Sequence, residues 1–487
     1  MSRPGNVLFL FSDEHHARFL GCDGHALVRT PNLDRLAARG TRFTNAYTPC
    51  PICVPARACL ATGRWVHQTR YWDNSIAYDG RVPGWGHRLR DAGVRAESIG
   101  KLHYRNATDD TGFAKQHVPT HLAEGGGQIW AAVRDPMPES VGYIPMYEKL
   151  GAGESSYNRY DRQIAELSVA WLAERASENP SKPWLLFAGF VAPHFPLIVP
   201  QQYLDLYPLE SIPEPKLLPK NGHERHPWVE RKALFTDFDT LIGDDERKKL
   251  AIASYLGLVT YVDEQIGKVL DALERFGLAE STLIIYSSDH GEHNGARGLW
   301  GKGDLYREAT QIPLIMAGAA VPAGKICATN VNLVDLYPTL LDAMGVSLSP
   351  DEATLPGKSL LEIAVQPDDS SRIGFSEYHA IGSPSAAFML TRGRYKYHHY
   401  VGYAPELFDL EIDPEETRNI ATDPLHANLV AEFDALLRTR LDPAVVDRQA
   451  KDDQNALVAM HGGAEKAFKA GLRGGTPVPD PKAESSR

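Results

Sequence analysis

Five cysteines in 487 residues, an odd number in a chain expected to be cytoplasmic, favour chemical or buried roles over structural disulfides. The longest apolar run, 184–192, is far short of the ~20 residues that span a bilayer. The N-terminal stretch MSRPGNVLFLFSDEHH has one arginine and a five-residue apolar run before a carboxylate, too short for a signal-peptide core, so a soluble, cytoplasmic chain without a membrane partner is expected. No block of Lys or Arg stands out, and a formal net charge of -11 repels phosphate backbones, which argues against nucleic acid as a partner. No internal repeat is visible.

What is present is ordinary globular composition, 43% hydrophobic and 23% charged. The length exceeds what one core usually supports, so one large α/β domain with an appendage, or two domains, is expected. Apolar runs at 7–11, 185–191 and 283–286 have the form of buried strands. Residues 33–38 suit part of a helix, and Val262, Ile266, Val269, Leu270 and Leu273 recur at helical spacing. Buried strands alternating with amphipathic helices predict an α/β fold, a large mainly parallel sheet sandwiched by helices. Eight prolines between 193 and 227 predict a long irregular excursion, a candidate active-site wall. The run QPDDSSR marks a boundary, giving a main domain over 1–368, a smaller C-terminal α+β unit over 369–445 with a helix near 427–440, and an extended tail over 446–487 that is mobile or docked on a partner.

Asp13 and Glu14 follow the first strand, and Asp289 and His290 follow LIIYSS. Ligands gather beyond the carboxyl ends of parallel strands, so both pairs can meet, and carboxylates with an imidazole suit a hard cation, Ca²⁺, Mg²⁺ or Mn²⁺. Helix caps or solvated loop residues are the alternative for either pair alone. Three of the five cysteines fall in TPCPICVPARACLATGR, 48–64. Pro55 suits a first helical turn and Gly63 a C-terminal cap, so Cys53 stands at a helix N-terminus with Arg57 one turn on, an anion-binding arrangement around a sulfur atom. Lys101 and His103 in SIGKLHY, His194 in FVAPHFP and Lys302 in GLWGKGD sit at or beyond strand ends or in a glycine-flanked loop. Each alone is as easily a solvated lysine or a satisfied histidine. Their joint occurrence points to one anion-processing site.

These motifs resemble the type I sulfatases of the alkaline phosphatase superfamily. The resemblance rests on CVPAR continued by ACLATGR, and on PNLDRLAARGTRFTNAY, GKLH, PHFP, SSDHG, GLWGKGDLYREA and ELFDLEIDPEETRNIA, in the family's order over most of 6–421. It implies an alkaline phosphatase-like fold, a small-molecule sulfate ester as substrate, and maturation by a formylglycine-generating enzyme that oxidises Cys53 to formylglycine. Pro55 and Arg57 would then be recognition elements for that enzyme. The resemblance further implies a metal shell of Asp13, Glu14, Asp289, His290 and modified Cys53, with Ca²⁺ ahead of Mn²⁺ or Mg²⁺. Arg57, Lys101 and Lys302 would clamp the ester's oxygens, His194 would protonate or steady the leaving alcohol, and His103 would take a proton from the hydrated aldehyde. Asn74 in YWDNS matches a polar substrate contact of the choline sulfatase and phosphonate hydrolase branches. Relatives of this kind often assemble, so a homo-oligomer is an expectation.

Asp13-Glu14 and Asp289-His290 depart from the Asp-Asp and Asp-Asn pairs of many sulfatases, whereas His290 is shared with choline sulfatases and phosphonate monoester hydrolases. The Lys-x-His of GKLH sides with sulfatases. A phosphonate monoester or phosphodiester hydrolase using the same site is the alternative. A thiol redox protein through Cys50 and Cys53, whose Cys-x-x-Cys spacing would carry a reactive, low-pKa thiolate at the helix N-terminus, is a more remote one. The His15-His16 and His398-His399 pairs are core or solvated residues on this reading, the second with a place open to it at the pocket from the C-terminal unit. Cys22, Cys59 and Cys327 suit buried apolar positions.

Overall fold

A computed structural model describes residues 5–142, 144–178, 182–470 and 476–479. Its main sheet has eight strands: β1 Asn6–Asp13, β2 Gly40–Phe43, β3 Arg95–Lys101, β4 Lys115–Thr120, β5 Trp184–Pro193, β6 Thr282–Ser288, β7 Leu314–Gly318 and β8 Lys325–Cys327. They lie in the order β8-β2-β7-β6-β1-β5-β3-β4, and every neighbouring pair is parallel except the two that β7 makes, with β6 and β2. The mainly parallel sheet expected from the buried apolar runs is therefore present.

Side chains of β1 alternate between two cores, as the two-residue period of a strand requires. Leu8 and Leu10 pack among residues of helices α1 Pro31–Ala38, α3 Ser156–Ser177 and α5 Asp245–Arg275. Val7, Phe9 and Phe11 pack on the other face, against α2 Cys53–Thr62 and α6 Leu336–Ala343. Helix α4, Pro227–Thr236, follows the proline-rich excursion. That excursion holds only short pieces of regular structure, a strand at Ile198–Val199, a helical turn at Gln201–Leu204 and 3-10 turns at Leu209–Ser211 and Pro219–Asn221.

A second sheet is an antiparallel meander of β9 Gly374–Tyr378, β10 Ala387–Arg392, β11 Tyr395–Tyr400 and β12 Glu406–Asp409. Helix α7, Ala427–Arg438, covers it through Phe433 and Leu437. Its core is continuous with Tyr47, Cys50, Cys59 and Trp65, so the meander buttresses the segment that leads into α2. The backbone N–H of Glu377 donates to the Pro49 carbonyl at 2.9 Å, and the Glu377 carboxylate holds His67 just beyond α2.

The extended tail expected from 446 is corrected by two helices, α8 Pro443–Met460 and α9 Ala464–Ala470. Asp442 caps α8 with Pro443 in its first turn, and Val446, Ala450, Gln454 and Val458, each four residues apart, are buried. A stripe of that period is an amphipathic helix seeking a surface. It finds one at the turn Ile129–Ala132, where Ile129, Ala132 and Val133 pack with Val458 and Ala467. Residues 471–475 and 480–487 of the tail lie outside the described residues.

Candidate active site

The register of the parallel strands assembles the site. Ser12 of β1 pairs with Ser288 of β6, so Asp13 and Asp289 leave adjacent strands side by side. Asp13 is level with Pro193 of β5, which places His194 next to it, and Lys101 ends β3 one strand further on. Close approach of β3 and β5 here requires glycine: a Cβ on Gly189 would lie 2.2 Å from the Lys101 carbonyl oxygen. Beyond the strand ends Glu14 and His103 turn away in left-handed conformations, φ 66° and 59°. Such values are uncommon outside glycine and accompany functional sites when the surroundings enforce them. His103 thus reaches the site through this turn.

Helix α2 delivers the remaining groups. As expected, it starts at Cys53 and is closed by Gly63 at φ 65°, whose N–H donates to the Cys59 carbonyl. Cys53 Sγ lies 3.1 Å from His290 Nε2 and 3.6 Å from Asp13 Oδ1. One turn on, Arg57 donates from Nε to Asp289 Oδ2 and from Nη2 to Asp13 Oδ2, both at 2.8 Å, and from Nη1 to the Lys101 carbonyl at 2.9 Å. Lys101 Nζ is 2.8 Å from Asp13 Oδ2, and Lys302 Nζ is 2.8 Å from Glu14 Oε2 while lying over the Phe195 ring. His194 Nε2 faces Glu14 Oε2 at 3.4 Å and Asp13 Oδ1 at 3.8 Å, with Nδ1 on the Phe195 carbonyl. Asn74 Oδ1 accepts the Val54 N–H at 3.2 Å, fixing the start of α2.

All eleven residues singled out in the sequence come together here, but not with equal access. Cys53, Asn74, His103, His194 and Lys302 line a cavity of about 110 Å³. Arg57, only 1% exposed, does not line it. Its Nε and Nη2 each donate to a buried carboxylate, so it bridges Asp13 and Asp289, and a second hydrogen on each of Nη1 and Nη2 is left over from these bonds.

Electrostatics follow from burial and pairing. Burial alone would push the Asp13 carboxyl up, yet Lys101, His194, Arg57 and His290 hold it well below the usual carboxylate range. Burial pushes Glu14 well above that range, against the pull of Lys302. Burial, then Lys101 and Arg57, lower His103 well below an ordinary imidazole, and burial with Lys302 does the same to His194. Burial opposes the charge on Lys302, but Cys53, Glu14 and Asp13 raise its pKa above the usual value.

Asp13, Cys53, Asp289 and His290 offer ligand atoms all within 4.8 Å of one another, as do Asp13, Glu14 and His194. Glu14 Oε1 is buried with no hydrogen-bond partner. Three buried carboxylates, an imidazole and an orphaned oxygen fit a hard divalent cation. Asp13, Glu14, Asp289 and His290 would hold it.

Three contributors were not legible in the sequence. Thr476, in the tail, lines the cavity with its hydroxyl 2.9 Å from His103 Nε2, while Tyr157 Oη donates to the Thr476 carbonyl at 2.7 Å. Lys232 of α4 and Trp130 of the 129–132 turn also line it. None belongs to a motif, and only the fold brings them near Cys53. Conversely, the place at the pocket held open for His398 and His399 is corrected: His398 is buried against Glu406 and Tyr400, and His399 pairs with Asp434. His15 and His16 are satisfied core residues, bonded to Tyr286, Phe19 and Gln311. Cys59 and Cys327 are buried as expected, Cys22 only partly. All five cysteines are free. Burial pushes the Cys50 and Cys53 thiols up, opposite to the low-pKa thiolate a redox site would need.

A charge-rich pocket at the carboxyl ends of a parallel sheet, with a helix N-terminus aimed into it and a meander domain behind, defines a hydrolase of the alkaline phosphatase superfamily. Residues 5–346 match the sequence model of the sulfatase family, and the chain belongs to that family. Residues 291–442 match the model described as N-sulphoglucosamine sulphohydrolase, C-terminal. The chain is 30% identical to a choline-sulfatase of Rhizobium meliloti, over 86% of this chain and 83% of the relative. It is 28% identical to human (Homo sapiens) arylsulfatase K, over 86% and 79% of the two chains. Among solved structures, the phosphonate monoester hydrolase SpPMH from Silicibacter pomeroyi superposes with a TM-score of 0.71 at 26% identity, covering 90% of this chain and 96% of that one. Among the described residues no helix is long and apolar enough to cross a membrane.

Proposed function

We propose that the protein hydrolyses sulfate monoesters of an alcohol or phenol, with Cys53 converted to formylglycine. The observation that carries this reading is the placement of Cys53: at the N-terminus of α2, in contact with Asp13 and His290, on the floor of a cavity lined by Lys302, His103 and His194. When bound, a divalent cation, Ca²⁺ by preference, would supply Lewis acidity at residue 53, and formylglycine would supply a hydrated aldehyde with two hydroxyls, one to attack sulfur and one to release it.

The chain's own residues supply the rest. Lys302 holds negative charge on the ester's oxygens from a site where Phe195 screens it from water. His103 is kept neutral by burial and Lys101, so it can take a proton at its unpartnered Nδ1. Its other nitrogen is fixed by Thr476. His194, held through Nδ1 by the Phe195 carbonyl, presents Nε2 to the leaving oxygen. Asp13 and Glu14, 3.8 and 3.4 Å away, favour a proton there, while burial and Lys302 oppose it. Asn74 lines the cavity while anchoring α2.

Peptide mass spectrometry tests the reading on the tryptic fragment 43–57, from protein co-produced with a formylglycine-generating enzyme. An aldehyde in place of the Cys53 thiol, together with metal-dependent release of sulfate from an aryl sulfate, is expected. Two intact thiols or a Cys50–Cys53 disulfide would overturn it. Likeness to a phosphonate monoester hydrolase favours a second reading, cleavage of phosphonate monoesters at the same residues. Faster turnover of a phosphonate monoester than of any sulfate ester would put it first.

A further inference from the structure

The cavity above Cys53 has an unusual charge balance. Among its described lining residues there are two lysines, Lys232 and Lys302, and no aspartate or glutamate. Lys302 is spoken for by Glu14. Lys232 is not: it has no carboxylate within ion-pair distance among the described residues, and its Nζ donates to a single acceptor, the Lys302 carbonyl, at 2.9 Å. Burial, and after it Lys302, lower the Lys232 pKa below the usual lysine value, and the acid that supports its charge, Asp304, is also engaged by His293 at 2.6 Å. An ammonium group carries three hydrogens, so two on Lys232, a residue lining the cavity, have no acceptor among the described residues.

Aromatic residues around it, Trp130, Phe195, Phe238 and Tyr378, would by themselves suit either a flat apolar group or a cation. The lysines decide between these. A cationic alcohol would meet the like charge of Lys232, which has no carboxylate partner among the described residues, a juxtaposition that complementary sites avoid. An anion would meet an ammonium already desolvated and pinned at one corner by the Lys302 carbonyl.

We propose that Lys232 binds a second anion on the leaving group, so that the preferred substrate is a sulfate ester of an alcohol or phenol that itself bears a carboxylate or a further sulfate. This deepens the sulfate-ester reading and rests on it. The pocket thereby excludes quaternary ammonium alcohols and selects among anionic ones by the reach between Cys53 and Lys232.

Inert sulfonates test this without turnover, because they present the charged head of the ester with no cleavable oxygen. Calorimetric binding to the full-length protein with Ca²⁺ present would use benzenesulfonate, 3-sulfobenzoate, benzene-1,3-disulfonate and 3-(trimethylammonio)benzenesulfonate. The carboxylate or the second sulfonate is expected to improve affinity about tenfold over benzenesulfonate, and the ammonium to weaken it by a similar factor. Whichever dianion gains more identifies the second anion as carboxylate or sulfate. Lys232→Met should abolish the gain and Lys232→Arg should keep most of it. If benzenesulfonate binds and neither dianion binds better to the native protein, the second-anion inference falls and the sulfate reading stands. If Lys232→Met weakens all four probes equally, Lys232 only supports the Lys302 loop and the inference falls. If none of the sulfonates binds, the sulfate reading itself fails and takes this inference with it.

Discussion

Replacing Arg57 by alanine should destabilise the protein heavily before any chemistry is considered. Its guanidinium bridges Asp13 and Asp289, both fully buried, and also satisfies the Lys101 carbonyl. Removing one partner of a buried ion pair costs about 3–5 kcal/mol, because the remaining charge is stranded. Lys101 still neutralises Asp13, so the cost is concentrated on Asp289. At about 2.1 cal/mol/K per residue, unfolding 487 residues carries an entropy of roughly 1 kcal/mol/K, so the Tm should fall by about 3–5 °C. The assay is a calorimetric melt in a chelator, using protein made without a formylglycine-generating enzyme so that failure of modification is not a confounder. Arg57→Lys should recover little, since an ammonium cannot bridge both carboxylates in a fork. In a double-mutant cycle with Asp289→Asn the two losses should be non-additive by about 1 kcal/mol or more. A fall in Tm below about 1 °C, or additive losses, would refute the bridging role.

Thr476→Val should lower kcat on an aryl sulfate about three- to tenfold, the worth of one lost hydrogen bond to His103, with Thr476→Ser restoring most of it in steady-state kinetics. Cys50→Ala should retain sulfate release, whereas a Cys50–Cys53 redox pair would lose all function; sulfate release by the variant decides. Asp73 is buried and pushed up to about 7 by that burial, against Arg134 and the N–H groups of Asn74 and Gln454. Its folded pKa lies above the ordinary carboxyl value of 3.8, so its contribution to stability is present below about pH 4 and is lost as pH rises through about 7. Urea melts across that window should show stability falling with pH in the native chain and a flatter slope in Asp73→Asn.

The sheet was legible because parallel strands buried on both faces are written as unbroken apolar runs, and 7–11, 185–191 and 283–286 are such runs. Strands β2 and β8, four and three residues long, carry no such signature and depend on pairing with each other and with β7. Helix α8 carries the four-residue period of Val446, Ala450, Gln454 and Val458, but glutamine in the stripe and the polar, glycine- and proline-rich stretch that follows mask it.

The site divides along a different line. Residues at strand ends were found because a parallel register leaves adjacent strands level, so acids following two separate apolar runs, Asp13 and Asp289, must emerge together. What a motif does not state is how each side chain spends its hydrogen bonds. Arg57 and Lys302 both follow from motifs as cations near an anion site, yet one is consumed by Asp13 and Asp289 while the other reaches the cavity. Lys232 follows from no motif, sits within helix α4, and still lines the cavity with no carboxylate partner among the described residues. Chemistry is therefore encoded at the strand ends, where the sheet dictates position, and selectivity in the helix, turn and tail that only the folded chain brings over Cys53. Changing Lys232, Trp130 or Thr476 should alter which ester is cleaved and how fast, and changing Asp13 or Asp289 should remove cleavage altogether.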